Sequence, residues 1–143
     1  MGRNTHVTRS NKDTHFTGAL ATDAMELESF DVQSPTKIIR VTLWADQQLD
    51  WDVMFFSSSG ADDTDADLDT MIDWVEFTSS DGKQIAGAGL YRYSVSGLDL
   101  RFKSTDARDS KQVHIGLINR NATSKNAGAT GEVVVEVEYE SDP

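Results

Sequence analysis

Five aspartates lie close together between Asp62 and Asp69, in the stretch SSSGADDTDADLD. Carboxylate oxygens are the ligands that calcium prefers, so this stretch is the first candidate for chemistry. Three carboxylates at alternating positions form the weak candidate for a metal site: Asp63, Asp65 and Asp67. The alternative is a solvated loop that joins two strands and binds no metal, and this is what we expect.

An EF-hand would need more than these carboxylates. A calcium loop that begins at Asp65 places Glu76 at its last ligand position, but Thr70 stands where the sharp turn requires glycine. Asp73 and Glu76 also fall in a predicted strand, where side chains three residues apart face opposite ways. A glycosidase acid pair is no better supported, because its two carboxyls need different environments and clustered loop aspartates share one.

Nucleophilic catalysis would need a serine or threonine beside a histidine. His6 and His15 lie in the N-terminal segment, and His114 alternates with apolar residues of a strand, which predicts a surface or interface position. The chain contains no cysteine and no HExxH, GxSxG or GKS/T motif. We therefore predict that the chain is not an enzyme and needs no cofactor.

The chain as a whole is strongly acidic, with 24 Asp and Glu against 13 Lys and Arg and a net charge of −11. Such a surface repels nucleic acid and anionic membranes, so nucleic acid is not an expected partner. No run is long and apolar enough for a membrane span, so direct membrane insertion is not expected. The acidity suits concentrated salt, where charge repulsion is screened. We expect a halophilic source, with an ordinary acidic domain as the alternative.

The N-terminal segment has the opposite charge, with Arg3, Arg9 and Lys12 close together. It shows little apolar periodicity, which predicts an extended arm and not a packed element. We expect the chain to divide into an extended N-terminal arm over 1–24 and a single β-sandwich domain over 25–143. The three basic residues are predicted to contact a neighbouring subunit.

The rest of the chain alternates between apolar and polar residues with the period of two that β-strands have. In the clearest case, GEVVVEVEYE, apolar side chains face one way and glutamates the other. About eight such stretches occur without a helical repeat, which predicts an all-β fold. An antiparallel β-sandwich of about eight strands fits this length, with a jelly roll as the expected form and an immunoglobulin-like sandwich as its rival.

Three tryptophans are candidates for subunit contacts, because tryptophan is enriched at the energetic centres of interfaces. Trp44 and Trp74 lie on the strand faces opposite the better apolar sets, whereas Trp51 belongs to such a set. We therefore predict Trp44 and Trp74 as interface residues, with a place in the core as the alternative.

In size and layout the chain resembles the single jelly-roll proteins of icosahedral virions. The closing stretch VHIGLINRNATSKNAGATGEVVVEVEYE looks like the last two strands of such proteins and the long loop between them. Together with the acidity, the resemblance points to haloarchaeal viruses, and there to the penton (vertex) proteins of membrane-containing virions. A turret or decoration protein of a tailed virus is the next candidate. The resemblance implies a virion location, a homo-oligomer (a pentamer is favoured) and neighbouring capsid proteins as partners.

The predicted function is therefore that of a virion structural protein, a capsid building block that assembles through its arm and barrel surfaces in high salt. The alternative is an extracellular carbohydrate-binding β-sandwich with a calcium site in the Asp62–Asp69 loop. Tyr91 and Tyr93, two apart on one strand face, would form its sugar platform.

Overall fold

The computed structural model of the chain describes residues 4–11, 13–33, 35–56, 71–85, 89–102, 112–127 and 132–141. Within these ranges the regular structure is β-strand apart from one short 3-10 turn, Ser79–Asp81. No helix in them has the length and apolarity that a membrane crossing needs. The strands are β1 (Asn4–Arg9), β2 (Ala19–Leu20), β3 (Met25–Asp31), β4 (Pro35–Ala45), β5 (Trp51–Phe56), β6 (Met71–Phe77), β7 (Lys83–Gln84), β8 (Tyr91–Arg101), β9 (Gln112–Asn119), β10 (Lys125–Asn126) and β11 (Val133–Ser141).

The strands form two main antiparallel sheets. One has five strands in the order β1-β11-β4-β8-β7, and the other has four in the order β3-β9-β5-β6. β2 and β10 pair as a separate two-stranded ribbon. If the ribbon and the short β7 are set aside, eight strands remain and the chain passes repeatedly from one sheet to the other. This order is the jelly-roll arrangement of interlocked Greek keys, so the predicted all-β antiparallel sandwich is confirmed.

Alternation along the strands places the core between the two sheets. Val133, Val135, Val137 and Tyr139 of β11 face inward and are at most 3% exposed. They meet apolar side chains of the four-stranded sheet, chiefly Trp51, Val53 and Phe55 of β5 and Val113, Ile115 and Leu117 of β9. Burying one such side chain contributes about 1.5–3 kcal/mol, so this core is what holds the two sheets together.

The N-terminal segment differs from the predicted arm. β1 pairs antiparallel with β11 of the same chain, and Arg9 lies opposite Glu136. His6 stacks on Tyr139 with ring centroids 5.3 Å apart. Its Nε2 atom also lies 2.8 Å from Ser141 Oγ. Residues 4–9 are therefore an edge strand of the sandwich.

The physical reason is that backbone hydrogen bonds and one buried ring replace the missing apolar pattern. Ser10 N donates to Val135 O at 2.8 Å, and Val135 N donates to Ser10 Oγ at 2.8 Å. Phe16 is fully buried in the core. Ordering each residue costs about 1–2 kcal/mol, and here the chain's own sandwich offsets that cost. The prediction of an extended, unpacked arm over 1–24 is therefore corrected for residues 4–11 and 13–24, and the rest of that arm lies outside the described residues.

Candidate functional site

The two tryptophans predicted as interface residues lie on opposite outer sides of the sandwich. Trp44 lies on the outer side of the five-stranded sheet, opposite Arg92 of β8. Trp74 lies on the outer side of the four-stranded sheet, opposite Met54 of β5, and its side chain is 46% exposed. Trp51 is fully buried in the core. A single flat partner surface cannot cover both Trp44 and Trp74, so the molecule presents two separate candidate surfaces.

The outer side of the four-stranded sheet carries an apolar cluster. The alternation that sends Val53 and Phe55 into the core sends Met54 and Phe56 outward, into a second hydrophobic cluster. Antiparallel sheets usually present polar side chains on the side away from the core, so an apolar cluster there is covered by the chain itself or by a partner. This outer apolar face consists of Met25 and Leu27 of β3, Ile118 of β9, Met54 and Phe56 of β5, and Met71 and Trp74 of β6.

The centre of the outer apolar face is closely packed. Met25 lies over Gly116, where a Cβ atom would come within 2.3 Å of the methionine sulfur. Phe56 is 0% exposed even though it points away from the core. Leu27 and Met54 pack at the margin and stay partly exposed. The face therefore has a rigid centre and an adaptable, methionine-rich margin that a partner could cover.

His114 lies on the same side of the sheet, and it is buried, which corrects the predicted surface position. Its Nδ1 atom lies 2.6 Å from Oγ of Ser29, the residue opposite on β3. Burial lowers the pKa of His114 below its usual value of 6.5, so the ring is neutral near pH 7. The alternation in the sequence predicts which face of β9 carries His114. It does not predict that both faces of β9 are covered.

Charged groups surround one end of the outer apolar face. Arg120 Nε lies 2.7 Å from Asp52 Oδ2, and Arg120 Nη1 lies 2.9 Å from Asp23 Oδ1. The hydrogen bonds to these two carboxylates raise the pKa of Arg120. At the edge of the face, Trp74 Nε1 donates to Glu76 Oε1 at 3.3 Å. The hydrogen bond to Glu76 thus fixes the polar edge of the Trp74 indole and leaves the apolar surface of the ring exposed.

The outer side of the five-stranded sheet is polar. Arg40 Nη1 lies 3.2 Å from Glu136 Oε2, and Nη2 lies 3.4 Å from Glu138 Oε2. Arg40 also donates to Thr42, whose hydroxyl lies 3.0 Å from Ser94 Oγ. These groups are paired with one another across neighbouring strands, so this side of the molecule needs no covering partner.

A groove of about 420 Å³ interrupts the polar side where β4 and β11 meet the loop before β8. It has an apolar part, formed mainly by Trp44, Leu90 and Val134. It has a charged part, formed by Arg9, Asp46, Glu132 and Glu136. Two of the predicted interface residues, Arg9 and Trp44, therefore lie in one groove. The guanidinium of Arg92 lies 5.6 Å from the centre of the Trp44 ring.

Asp46 has an unusual environment in this groove. Burial raises its pKa above the usual value of 3.8, backbone N–H groups oppose the rise, and the Glu132 carboxylate adds to it. Its Oδ1 atom is buried and has no hydrogen-bond partner. Such an atom has lost water without gaining a donor, which costs free energy in the folded chain.

The tyrosines of the carbohydrate-binding alternative face the core, which corrects the predicted sugar platform. Tyr93 is 0% exposed, and its hydroxyl accepts from Leu49 N at 2.9 Å and lies 3.1 Å from Leu49 O. Burial raises the pKa of Tyr93. Tyr91 is partly buried against the same core. Side chains two apart on a strand do share a face, but here that face is the inner one.

The other predicted site residues lie outside the described residues. They are Arg3 and Lys12 of the N-terminal segment and the weak metal candidates Asp63, Asp65 and Asp67. In the ranges that the structure does describe, no three His, Asp or Glu side chains are grouped as a metal ion would require.

Sequence reasoning missed the outer apolar face although a signal was present. In WDVMFF, Met54 and Phe56 break the alternation of a strand with one solvated side. A strand that is apolar on both sides is covered on both sides or contacts another molecule. No comparable signal joins Asp46 to Glu132, because only the pairing of β4 with β11 brings them together.

No protein-family model and no curated protein matches the chain. Among solved structures, the coat protein of Tobacco streak virus is similar at 9% identity and a TM-score of 0.40, over 98% of this chain and 87% of that one. Desmodium yellow mottle tymovirus is similar at 10% identity and a TM-score of 0.31, over 100% and 90%. TmCBM61 in complex with beta-1,4-galactotriose is similar at 9% identity and a TM-score of 0.30, over 97% and 88%. Viral proteins and a protein solved with a bound galactotriose are thus both among the neighbours, and the likeness assigns no activity or partner to this chain.

Proposed function

We propose that the chain is a virion structural protein, a capsid building block that forms homo-oligomers and contacts neighbouring capsid proteins. The proposal extends to a pentamer at the five-fold vertex of a membrane-containing haloarchaeal virus, with a turret or decoration protein as the next candidate. The function it assigns is mechanical: the sandwich fills space in a shell, and its surfaces hold the neighbours.

The observation that carries the proposal is the outer apolar face. Four strands about 4.8 Å apart, with about six residues each at 3.3 Å, give the whole outer side of this sheet a projected size of about 19 by 20 Å, which is an upper bound for the outer apolar face. A standard stable interface buries about 800 Å² on each partner, roughly twice this upper bound. The face therefore fits one of several contacts made by a subunit that is surrounded by neighbours.

The charge of the chain determines the conditions for such contacts. Subunits with a net charge of −11 repel one another at low ionic strength. At about 1 M salt the Debye length falls to roughly 3 Å, so acidic subunits can approach until their apolar faces meet. Salting-out conditions also strengthen apolar burial. Both effects favour assembly in high salt.

The contact surfaces in this proposal are those of the sandwich. The predicted contacts of Arg3, Arg9 and Lys12 remain part of the proposal, although β1 itself pairs within the chain's own sheet. Removing residues 1–16 would take away that strand and the fully buried Phe16. Such a truncation would damage the fold, so point variants on the outer faces are the cleaner test.

The test is the mass of the protein in solution at low and at molar salt, for the native chain and for Trp74→Ser. We expect the native chain to form oligomers as salt rises, because repulsion is screened and the outer apolar face is buried. Trp74→Ser should remain monomeric at concentrations where the native chain associates. Light scattering and sedimentation both report this difference.

Trp44→Ser tests the second predicted interface residue, on the outer side of the other sheet, and it should also lower the salt-dependent mass. The control is Ser96→Ala, at an exposed position of the five-stranded sheet, which should leave the salt-dependent mass unchanged. A native chain that stays monomeric at all salt concentrations, or a Trp74 variant that assembles normally, would contradict the proposal. An assembly of five copies would support the vertex position, and a different number would exclude it.

A further inference from the structure

The edge strand β1 has features that the assembly proposal does not use. It is the outermost strand of the five-stranded sheet, and its far side pairs with no other strand. We propose that this free edge binds a second copy of the chain: the two β1 strands pair antiparallel with Val7 opposite Val7, and the two sheets become continuous. The contact uses backbone groups at the rim of the sandwich and not the outer apolar face, so it goes beyond the function proposed above.

The backbone groups of β1 alternate between β11 and the free edge. Ser10 N donates to Val135 O, so Ser10 faces β11, and so does every second residue before it. The residues between them, Thr5, Val7 and Arg9, therefore direct their N–H and C=O groups to the free edge. All three are exposed, Val7 at 53%. β1 thus presents three successive pairing positions to solvent.

These three positions are symmetric about Val7. When Val7 lies opposite its own copy in an antiparallel pair, Thr5 of each strand lies opposite Arg9 of the other. Each of the three pairs exchanges two hydrogen bonds, so this register forms about six. β1 pairs with β11 without a register shift, so the edge is regular along its length. The free edge is therefore complementary to itself, as a contact between two identical surfaces requires.

The side chains favour the same register. Residues directly opposite each other lie on the same side of a sheet, so the exposed Val7 side chains of the two copies would contact each other. β1 contains no carboxylate, whereas like charges placed opposite each other destabilise a strand pair. The edge strands of the four-stranded sheet are acidic and carry Glu26, Glu28 and Asp31 in β3 and Asp73 and Glu76 in β6. In a chain with a net charge of −11, β1 is thus the edge best suited to a second copy.

The edge strand β6 is also protected in its backbone. Arg120 N donates to Asp50 O, so even-numbered residues of β5 face β9, and Trp74, which lies opposite Met54, directs its N–H to the free edge. Asp73 Oδ1 accepts a hydrogen bond from this N–H at 2.8 Å. β6 also contains a bulge. Bulges and inward charged residues are what keep edge strands from pairing, and β1 has neither.

The proposed contact is small. A stable interface buries about 800 Å² on each partner, and one strand edge supplies only a fraction of that area. This contact alone therefore does not hold a dimer together in dilute solution. It forms between copies when molar salt screens their repulsion, and covalent trapping can detect it.

The experiment uses the absence of cysteine from the chain, because single introduced cysteines then report the register. Opposite residues in a hydrogen-bonded antiparallel pair have Cα atoms about 5.5 Å apart, a distance that a disulfide spans. Two copies of Thr5 would lie about 13 Å apart along the strands, too far for a disulfide. In about 2 M salt with oxidised glutathione, we expect Val7→Cys to form linked dimers at least about tenfold faster than Thr5→Cys or Arg9→Cys alone.

An equimolar mixture of Thr5→Cys and Arg9→Cys should form linked dimers at a rate comparable to that of Val7→Cys, because these two positions lie opposite each other in the proposed register. Electrophoresis without reductant measures all the rates. Equal rates for the three single variants, or a mixture no faster than its components, would overturn the proposal. So would the absence of linked dimers from Val7→Cys, which would leave the edge to a different partner or to none.

Two second-site variants separate this contact from other effects. Thr5→Pro removes an N–H group at the free edge and none that bonds to β11, so it should slow the linking of Val7→Cys while thermal melting shows that the fold is kept. An unchanged rate would contradict pairing through the backbone. Trp74→Ser should leave the linking of Val7→Cys unchanged, so a failure of this proposal is distinguishable from a failure of assembly through the outer apolar face.

Discussion

The two outer sides of this sandwich differ in almost every respect. On the five-stranded sheet, Arg40 bridges Glu136 and Glu138 across neighbouring strands, and the polar groups pair with one another. On the four-stranded sheet, methionines and aromatic rings form a second hydrophobic cluster, and Trp74 remains 46% exposed. Most polar groups of the first side pair with one another, whereas the second side carries a packed apolar cluster with an exposed tryptophan at its margin.

The difference shows how one fold separates stability from contact. The core between the sheets holds both sides in place, so each outer side is free to vary in chemistry. On the five-stranded side, ion-paired side chains face water. The groove with Trp44 and Asp46 interrupts this polar surface. The proposed function places a neighbouring subunit on the apolar side.

The most severe test of this comparison is Phe56→Ala. Because Phe56 is fully buried on the outer apolar face, we expect its truncation to lower the free energy of unfolding by about 3–5 kcal/mol. Ser96→Ala, at an exposed position of the five-stranded sheet, should change it by less than about 0.5 kcal/mol. Urea unfolding measures both, and similar values for the two variants would remove the distinction between the sides.

A smaller effect is expected from Gly116→Ala, which tests the packing at the centre of the apolar face. The new Cβ would lie 2.3 Å from the sulfur of Met25, so we expect a loss of about 1–3 kcal/mol. In the Met25→Ala background the same substitution should cost much less, because its neighbour is gone. A double-mutant cycle measures this coupling, and additive losses would show that Met25 does not occupy that space.

The next test is the pH dependence of the free energy of unfolding, to which the buried His114 of the four-stranded sheet contributes. Its pKa is lowered in the folded state, so below pH 6.5 the unfolded chain binds more protons than the folded chain. Above pH 6.5 the ring is neutral in both states, and the free energy of unfolding is not reduced by His114. As the pH falls from 6.5 toward the folded-state pKa, proton binding to the unfolded chain lowers the free energy of unfolding. His114→Gln should flatten this decline in urea unfolding between about pH 7 and pH 5, and an unchanged slope would exclude His114 as its source.

The smallest effect is expected on the ionic side. Glu138→Gln removes one of the two carboxylates near Arg40 and should cost at most about 1 kcal/mol at low salt. The cost should vanish in molar salt, where the interaction is screened. A loss of several kcal/mol, or one that persists at high salt, would mean that the ionic side carries stability of its own.

The sequence predicted the fold class well because alternation is a local property. The four apolar residues that GEVVVEVEYE places on one side are the inward side chains of β11, and the pairing order completes the jelly roll. Trp51 likewise lies in the core, and Trp44 and Trp74 lie on outer faces, as the alternation of their strands predicts. Whether either of them contacts a partner stays a prediction.

What the sequence could not predict depends on pairing between distant strands. β1 has few apolar residues, and its order comes from β11, more than 120 residues later in the chain. His114 and Tyr93 are buried because other elements cover them, which alternation in their own strands does not reveal. The groove depends on the register of β4 and β11, which sets Asp46 beside Glu132.

The position of β11 has a consequence for how the molecule forms. β11 lies between β1 and β4, so the five-stranded sheet has a gap until that strand inserts. Its contacts with β1 close a loop as long as nearly the whole chain, as in the pair His6 and Ser141, 135 residues apart. Pairings of such long range fold slowly, because the entropy of closure is lost before the contacts form. During synthesis, β1 and β4 are therefore exposed edges until β11 is available, and the nascent chain is most prone to aggregate in that interval.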